Sequence, residues 1–285
     1  MQEKIELNRI REFGDIIDDS LQFFKQNWKP LLKSYFTICG FFWLASLLLG
    51  IFNQINTFHR IHDGQSPFST TYFLYFLFEY IDFIIITLTV LSFISLYKEK
   101  GNEAPSVEEV WSFVKYYFFR AFGSYLLLTL CIIIGAVFCI LPGIYLAVSF
   151  SLVLPVIVIE NSTLSYAFSR CFQLIKNNWW FMLGAVFVSE IILVVALLAI
   201  IIPVMIIAFG VTFLTNVSML TMYSYASIII GHLLQFAYMF PIIVICLVYF
   251  SLVEQKDDGN LLQRINNIGV VAVSNSSNNE STEEY

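Results

Sequence analysis

One carboxylate inside an apolar run is the first candidate for chemistry in this sequence. Glu190 follows Trp179 by eleven residues, which is roughly 16 Å along a helix. A carboxylate in hydrocarbon costs several kcal/mol unless it is protonated or paired. We therefore expect Glu190 to face the interior of a helix bundle. There it would handle a proton or a substrate, or it would fix helix packing through a hydrogen bond.

Three polar side chains near the C-terminus are the candidate partners of Glu190. His232, Gln235 and Tyr238 recur every three residues in an apolar segment, so they share one face of a helix. Counted inward from the start of that segment, Gln235 reaches a depth similar to that of Glu190. These four residues form the predicted intramembrane polar site.

The other polar side chains near apolar segments are interpreted more simply. Glu79 and Asp82 share a helix face where the second apolar segment begins, and we expect them to form a solvated rim rather than an ion site. His59 and His62, with Asp63 beside them, are expected in a plain polar loop. The sequence predicts no metal site and no cofactor.

Composition places the chain in a membrane. Of its 285 residues, 58% are hydrophobic and 13% charged, whereas about 25% of a soluble domain is charged. The net charge of −6 offers no basic surface for nucleic acid. The lipid bilayer is therefore the expected partner, with a further membrane or cytoplasmic protein left open. The charged, amphipathic first 30 residues lack the apolar run of a cleavable signal peptide.

No motif for catalysis is found. The sequence contains no P-loop, no HExxH and no GxSxG, which would mark an ATPase, a zinc protease or a serine hydrolase. The five cysteines are scattered through apolar segments without CxxC spacing, and this indicates buried hydrophobic residues rather than disulfides or metal ligands. We therefore predict that the protein is not an enzyme.

Apolar periodicity predicts an all-α, polytopic membrane fold with six transmembrane helices. The predicted spans cover about 32–52, 80–96, 121–141, 143–159, 179–202 and 226–250. Pro142 and Gly143 are expected to make a tight hairpin between the third and fourth spans. The fourth span only just crosses the hydrocarbon core, and three arrangements are open for it: a short span, a kink at Pro155, or part of a re-entrant hairpin. Residues 1–253 form the membrane domain, and the polar segment 254–285 is expected to be a disordered tail.

Three amphipathic helices are predicted to lie on the cytoplasmic surface. Apolar residues from Leu164 to Ile175 recur at helical spacing, and a shift of 151 residues finds the same pattern from Phe13 to Phe24. A weaker third copy begins at Ser106. Such helices would either sense lipid or form a structural cuff around the spans. Four tryptophans are the expected interfacial anchors: Trp28, Trp111, Trp179 and Trp180.

The distribution of basic residues sets the expected orientation. With six spans, 14 of the 15 Lys and Arg residues fall on the side of the termini, and only Arg60 falls on the other. Basic loops stay in the cytoplasm. We therefore expect a multi-pass protein of the cell (inner) membrane with both termini cytoplasmic.

The stretch from Leu141 to Trp179 resembles a bacterial membrane-domain family. That family includes the membrane portion of some glycerophosphoryl diester phosphodiesterases and related stand-alone inner-membrane proteins. The resemblance rests on five positions of the family's sequence pattern, together with Ala167, Cys171 and Lys176. Members of the family usually have a serine where this chain has Cys171. The pattern positions are Pro142, Gly143, Pro155, Glu160 and Arg170. The resemblance implies a six-helix membrane domain without catalysis of its own, because the phosphodiesterase chemistry belongs to a separate soluble barrel.

Three functions remain open from sequence. The first is a non-catalytic membrane scaffold or modulator. The alternative is a small transporter or channel organised around Glu190. The third is a lipid-modifying membrane enzyme, which would require several polar residues to converge near one leaflet. A polar path to either surface would favour the alternative, and an apolar interior around Glu190 would favour the first.

Overall fold

The computed structural model describes residues 5–215 and 219–256, with side chains described outside 213–222. Those residues form helices and connections, without a strand among them. The helices are α1 (Phe13–His62), α2 (Thr70–Glu99), α3 (Val107–Phe138), α4 (Ile140–Phe150), α5 (Val153–Ile159), α6 (Leu164–Ile175), α7 (Trp179–Thr215), α8 (Met219–Leu233) and, after a 3-10 turn at Gln235–Tyr238, α9 (239–256).

The prediction of an all-α polytopic membrane protein is confirmed. Six segments of the described chain are long and apolar enough to cross a membrane. They are Phe13–His62, Thr70–Glu99, Val107–Phe138, Ile140–Ile159, Trp179–Thr212 and Gln235–Lys256. Each is predominantly apolar over at least the 18 residues that a hydrocarbon core of about 30 Å requires. The tail predicted after residue 253 lies almost wholly outside the described residues.

The centre of the bundle is formed by α2 and α9. In their most apolar windows 67% and 72% of residues are buried, against 6% for α7. Every residue of α2 from Ile84 to Tyr97 is buried, so this part is enclosed on all sides. The other helices surround this pair, and α7 lies at the periphery with most of its surface facing outward.

The two described ends of the chain meet at one end of the bundle, called here the terminal side. The backbone N–H of Arg11 donates to Ser251 Oγ at 3.0 Å, and Asn178 Nδ2 donates to Gln255 Oε1 at 2.9 Å. The Arg11 guanidinium is fully buried and contacts Asp19 Oδ2 at 2.7 Å. The opposite end, where α1 connects to α2, is called the far side.

The predicted threefold repeat is visible in which positions are buried. Ile16, Ser20 and Phe23 of α1 are buried, and so are the residues 94 and 151 positions later. Those counterparts are Val110, Val114 and Tyr117 in α3 and Ala167, Cys171 and Leu174 in α6. The three amphipathic segments therefore pack against the bundle through equivalent residues.

Only the third of these segments is a separate helix. A turn at 176–178 separates α6 from α7, whereas α1 and α3 run unbroken from their amphipathic parts into their spans. Pro30, where the missing N–H favours a break or kink in a helix, lies inside the unbroken α1. Asn27, Leu31 and Ser34 are buried at helical spacing on both sides of the proline, so packing of one continuous face maintains the helix across it.

Two prolines do interrupt helices, three or four residues before the proline itself. Because a proline lacks an N–H and its ring clashes with the carbonyl four residues earlier, the preceding turn opens. α3 ends at Phe138, four residues before Pro142, so the hairpin turns at Cys139 rather than at Pro142 and Gly143. Likewise, the fourth span opens between α4 and α5, ahead of Pro155.

Gly143 has a packing role in this hairpin. A Cβ placed on Gly143 would lie 2.8 Å from Ala136 Cβ and 2.9 Å from Ala136 Cα. These distances are shorter than real Cβ contacts, and the obstructing atoms belong to the neighbouring helix. The absence of a side chain at Gly143 therefore permits the close approach of α3 and α4.

The sixth span differs from the prediction. The segment 226–250 was expected to form one helix, but α8 ends at Leu233 and a 3-10 turn follows at Gln235–Tyr238. The spanning segment is Gln235–Lys256. The 15 residues of α8 extend only about 22 Å, which is too short to cross the hydrocarbon core, so α8 is an additional helix before the last span.

Candidate functional site

A cluster of buried polar side chains lies where α2, the end of α8 and the 3-10 turn meet. α2 contributes Glu79 and Asp82, α8 contributes His232, and the turn contributes Gln235. Asp82 is 0% exposed, His232 6% and Gln235 8%. Buried polar groups at this density in an apolar bundle require an explanation, because each of them costs free energy unless it is paired.

His232 and Glu79 form the first contact of the cluster. His232 Nε2 lies 2.8 Å from Glu79 Oε1, and His232 Nδ1 lies 2.9 Å from the carbonyl oxygen of Ile228. A carbonyl only accepts hydrogen bonds, so Nδ1 carries a proton. Nε2 and Oε1 both have lone pairs, so an approach this close requires one further proton on the pair, although the angle between the two groups is not that of a hydrogen bond. The pair therefore exists as imidazolium with carboxylate, or as imidazole with carboxylic acid.

Asp82 and Gln235 form the second contact. Gln235 Nε2 donates to Asp82 Oδ2 at 2.7 Å. The remaining oxygens of both side chains, Asp82 Oδ1 and Gln235 Oε1, are buried and have no hydrogen-bond partner among the described residues. The hydroxyl of Tyr35 on α1 is also buried and unpaired, and Tyr35 interacts electrostatically with Asp82 and Glu79. The cluster thus offers more acceptors than its own donors satisfy.

The depth of the cluster follows from the length of α2. Asp82 precedes Lys98 by 16 residues, about 24 Å along the helix. With Lys98 at the terminal-side boundary of a hydrocarbon core of about 30 Å, Asp82 lies inside the core and Glu79 lies near its far edge. The cluster therefore extends from the far boundary into the hydrocarbon.

A cleft of about 470 Å³ opens beside these residues. Its walls include Glu79, His232 and Gln235, together with the aromatic rings of Tyr75 and Tyr238. Asp82 lies behind the cleft wall, where it is bound by the amide of Gln235. A solute in the cleft would meet a carboxylate, an imidazole and an amide at once, with a second carboxylate one side chain further in.

Close helix approach holds α8 against α1 and α2. A Cβ on Gly50 of α1 would lie 3.1 Å from Tyr75 Cε2 and 3.3 Å from Ile228 Cγ2. Trp43 Nε1 of α1 donates to the carbonyl oxygen of His232 at 2.8 Å. That carbonyl belongs to the last turn of α8, where the helix itself supplies no donor. Trp43 and Gly50 therefore stabilise the break in the chain that follows His232.

Two predictions about acidic residues are wrong. Glu190 was expected inside the bundle, but its side chain is exposed on the peripheral helix α7. It forms no hydrogen bond or ion pair with the described residues, so His232, Gln235 and Tyr238 line the cleft without it. Asp82 was expected in a solvated rim, but it is fully buried. α2 begins at Thr70, ten residues before the predicted span, which places Asp82 well inside the helix.

Two positions of the family resemblance, Glu160 and Arg170, lie on the terminal side, away from the cleft. Arg170 Nε lies 3.3 Å from Glu160 Oε1, and the hydroxyl of Tyr249 donates to the same oxygen at 2.8 Å. Burial opposes the charge of Arg170, but Glu160 outweighs it and raises the Arg170 pKa above its ordinary value. These contacts join the α5–α6 corner to α9. Pro142, Gly143 and Pro155 act in the helix breaks described above.

The remaining predicted residues are at the surface. Trp28, Trp111 and Trp180 are exposed, and Trp179 stacks on Tyr145 with ring centroids 5.8 Å apart. Lys115 lies 5.5 Å from the Trp111 ring centroid. On the far side, the loop expected around His59, His62 and Asp63 is instead the exposed end of α1. Within residues 5–215 and 219–256, no group of His, Cys, Asp and Glu could hold a metal ion.

No family model, no curated protein and no solved structure matches this chain.

Proposed function

We propose that the protein is a small membrane transporter that admits a cationic, N–H-donating solute to the cleft from the far side. The observation that carries the proposal is the meeting of Glu79, Asp82 and His232 at a helix break within the hydrocarbon span. Ionisable residues inside membrane spans mark substrate and proton pathways. Discontinuous helices provide the binding sites of many transporters.

The chemistry of the cluster favours a cation. Among the described residues its unpaired carboxylate and amide oxygens are Asp82 Oδ1 and Gln235 Oε1, Glu79 Oε1 has only the imidazole contact, and the Tyr35 hydroxyl is the one unpaired oxygen that can also donate. A solute with several N–H donors and a positive charge would satisfy these acceptors at the same time. Two carboxylates with one imidazole carry at most one compensating positive charge, so an anionic solute would be repelled.

The proton shared by His232 and Glu79 provides a means of coupling. A cation that approaches Glu79 favours the carboxylate and competes with the imidazolium for it. If the imidazolium then loses its proton, binding of the cation and release of a proton occur together. The proposal therefore includes exchange of one proton for one cation and assigns no catalytic step.

The proposed location is the cell (inner) membrane, with the terminal side in the cytoplasm and the cleft facing away from it. This follows the positive-inside rule, because Arg60 is the one basic residue expected on the far side. In this orientation the solute would enter from outside the cytoplasm.

Uptake of radiolabelled guanidinium into proteoliposomes tests the proposal. Guanidinium keeps its charge at all accessible pH values and presents N–H donors in a planar fork that matches carboxylates. We expect saturable uptake that Glu79→Gln reduces by about tenfold to hundredfold, because a charge-assisted hydrogen bond contributes about 1.5–3 kcal/mol. Glu190→Gln is the matched control, and it should leave uptake unchanged. Absence of saturable uptake, or equal losses in both variants, would contradict the proposal.

The exposed face of α7 favours a second candidate, a scaffold that binds another membrane protein. Only 6% of its most apolar window is buried, and the exposed Glu190 would be costly in contact with lipid. A partner helix that covers Glu190 would remove this cost. If the scaffold is correct, Glu190→Leu will weaken association with a partner in cross-linking experiments while guanidinium uptake is absent in the wild type.

A further inference from the structure

We infer that the solute is an amphiphile, with its cationic head in the polar cleft and a hydrocarbon tail in a second, apolar cavity behind Phe83. The inference rests on the proposed function and names the class of its substrate. Its closest simple representatives are alkylguanidinium and alkylammonium ions with a chain of medium length.

The apolar cavity lies among α2, α3, α4, α5 and α9 and has a volume of about 280 Å³. Most of its walls are aliphatic or aromatic. Its lining comprises Phe83, Thr87, Leu91, Tyr125, Leu128, Thr129, Ile132, Ala147, Phe150, Ser151, Leu154, Pro155, Ile242 and Ile245. No charged side chain contributes to it, so the cavity suits a hydrocarbon chain.

The threonine and serine hydroxyls in this cavity are already paired. Thr87 Oγ1 donates to the carbonyl of Phe83 at 2.9 Å, Thr129 Oγ1 to that of Tyr125 at 2.8 Å, and Ser151 Oγ to that of Val148 at 2.7 Å. Each hydrogen bond lies within its own helix or turn. These three hydroxyls therefore offer no free donor to a ligand, in contrast to the cleft and its unpaired acceptors, and the hydroxyl of Tyr125 is the remaining side-chain donor of the lining.

Phe83 lines both spaces. Its neighbours on α2 divide between them, with Ile86 in the cleft and Thr87 in the cavity. The Phe83 ring is partly exposed and lies 5.3 Å from the Tyr125 ring, centroid to centroid. A tail that passes this ring would enter the apolar cavity while the head stays beside Glu79. The two spaces thus match the two parts of one amphiphilic molecule.

The charge of the cleft distinguishes this ligand from ordinary phospholipids. A phosphate head would lie beside Glu79 and near Asp82, and neither space has a Lys or Arg in its lining. The carboxylates of Glu79 and Asp82 attract a cationic head, and the rings of Tyr75 and Tyr238 add a cation–π contribution. Apolar cavities of about 150 Å³ accept benzene, so a space roughly twice that size accommodates a chain of about six carbons.

Calorimetric titration of the full-length protein in nanodiscs of neutral lipid tests the inference, with methyl-, butyl- and hexylguanidinium as probes. Heats from empty nanodiscs are subtracted to remove partition into lipid. We expect one saturable site whose Kd falls about fourfold for each added methylene, since burying a methylene contributes about 0.8 kcal/mol. Thr129→Phe fills the cavity from α3 and should abolish this gain while methylguanidinium binds as before.

Leu130→Phe adds the same ring to the exposed side of α3 and should preserve the chain-length gain. Unchanged binding of methylguanidinium shows that a variant is folded. If Thr129→Phe fails that check, Ala147→Phe narrows the same cavity from α4. A Kd that does not depend on chain length would overturn the inference, and so would an equal gain in affinity with chain length in the wild type and the cavity variants. Either result would leave the proposed function standing. Failure of methylguanidinium to bind the wild type would instead overturn the proposed function.

Discussion

Replacing Asp82 with asparagine should make the protein more stable and its cleft less effective. Asp82 is fully buried and receives one hydrogen bond, from Gln235 Nε2 at 2.7 Å, while Asp82 Oδ1 has no partner. An asparagine at this position keeps the acceptor for Gln235 and supplies an amide that can donate to the unpaired Gln235 Oε1. The substitution also removes a buried carboxylate. We expect the free energy of unfolding to rise by about 1–3 kcal/mol.

The same change should weaken binding of a cation. Asp82 lies behind the cleft wall, so it acts on the solute through its charge rather than by direct contact. Two unit charges about 8 Å apart interact by about 2 kcal/mol at an effective dielectric constant of about 20, so the Kd for methylguanidinium should rise about tenfold to thirtyfold. Two measurements on one preparation check the pair of effects. Reversible unfolding in SDS, followed by tryptophan fluorescence, gives the stability, and calorimetry in nanodiscs gives the Kd.

Asp18→Asn is the matched control, because Asp18 is exposed on α1 and should change neither quantity. The reasoning is refuted if Asp82→Asn destabilises the protein and leaves the Kd unchanged. That outcome would mean that Asp82 serves to hold α2 and Gln235 together, and that the bound solute does not depend on its charge.

Three further predictions concern packing and topology. Gly143→Ala should lower the free energy of unfolding in SDS by about 1–3 kcal/mol through overpacking, whereas Gly123→Ala, which has nothing within 4 Å of the added Cβ, should be neutral or slightly stabilising. Arg11→Met removes a fully buried guanidinium that is paired and hydrogen-bonded and should cost about 3–5 kcal/mol in the same assay. Burial raises the pKa of the Cys171 thiol to about 12, so at pH 7 Cys171 stays protonated and should resist maleimide. Cys139 is exposed at the hairpin turn and should react with an impermeant maleimide from the far side, as mass spectrometry of labelled peptides would show.

The number of spans could be predicted from sequence because it depends on length and hydropathy alone. The positions of the helix breaks were predicted less well, because a proline interrupts the helix in the turn before it and not at the proline itself. Pro142 and Pro155 both follow this pattern, while Pro30 does not, because buried residues on both sides hold α1 together. Sequence identifies the prolines but not which of them end a helix, and Pro203 also lies inside an unbroken helix, α7.

The acidic residue of the site could not be chosen from sequence for a related reason. In water, hydropathy distinguishes the inner face of a helix from the outer one, but in a membrane both faces are apolar. Nothing in the run around Glu190 therefore shows which way that residue faces, and in the structure it faces outward. Asp82 was placed at a rim because the span was begun at Tyr80. The uncharged aromatic residues before Tyr80 extend α2 to Thr70 and were the signal that the helix starts earlier.

The threefold repeat explains why the cleft forms where it does. Each amphipathic segment precedes a pair of spans, and the connection between the two spans is brief in the first two pairs: residues 63–69 in one and Cys139 in the other. In the third pair α8 is inserted before the last span, and it has no counterpart in the other two. This helix brings His232 to Glu79 and ends at the turn that brings Gln235 to Asp82. A repeat built only for packing would not need the insertion or the buried charges that it encloses, so we infer that the cleft is the reason for the departure from symmetry.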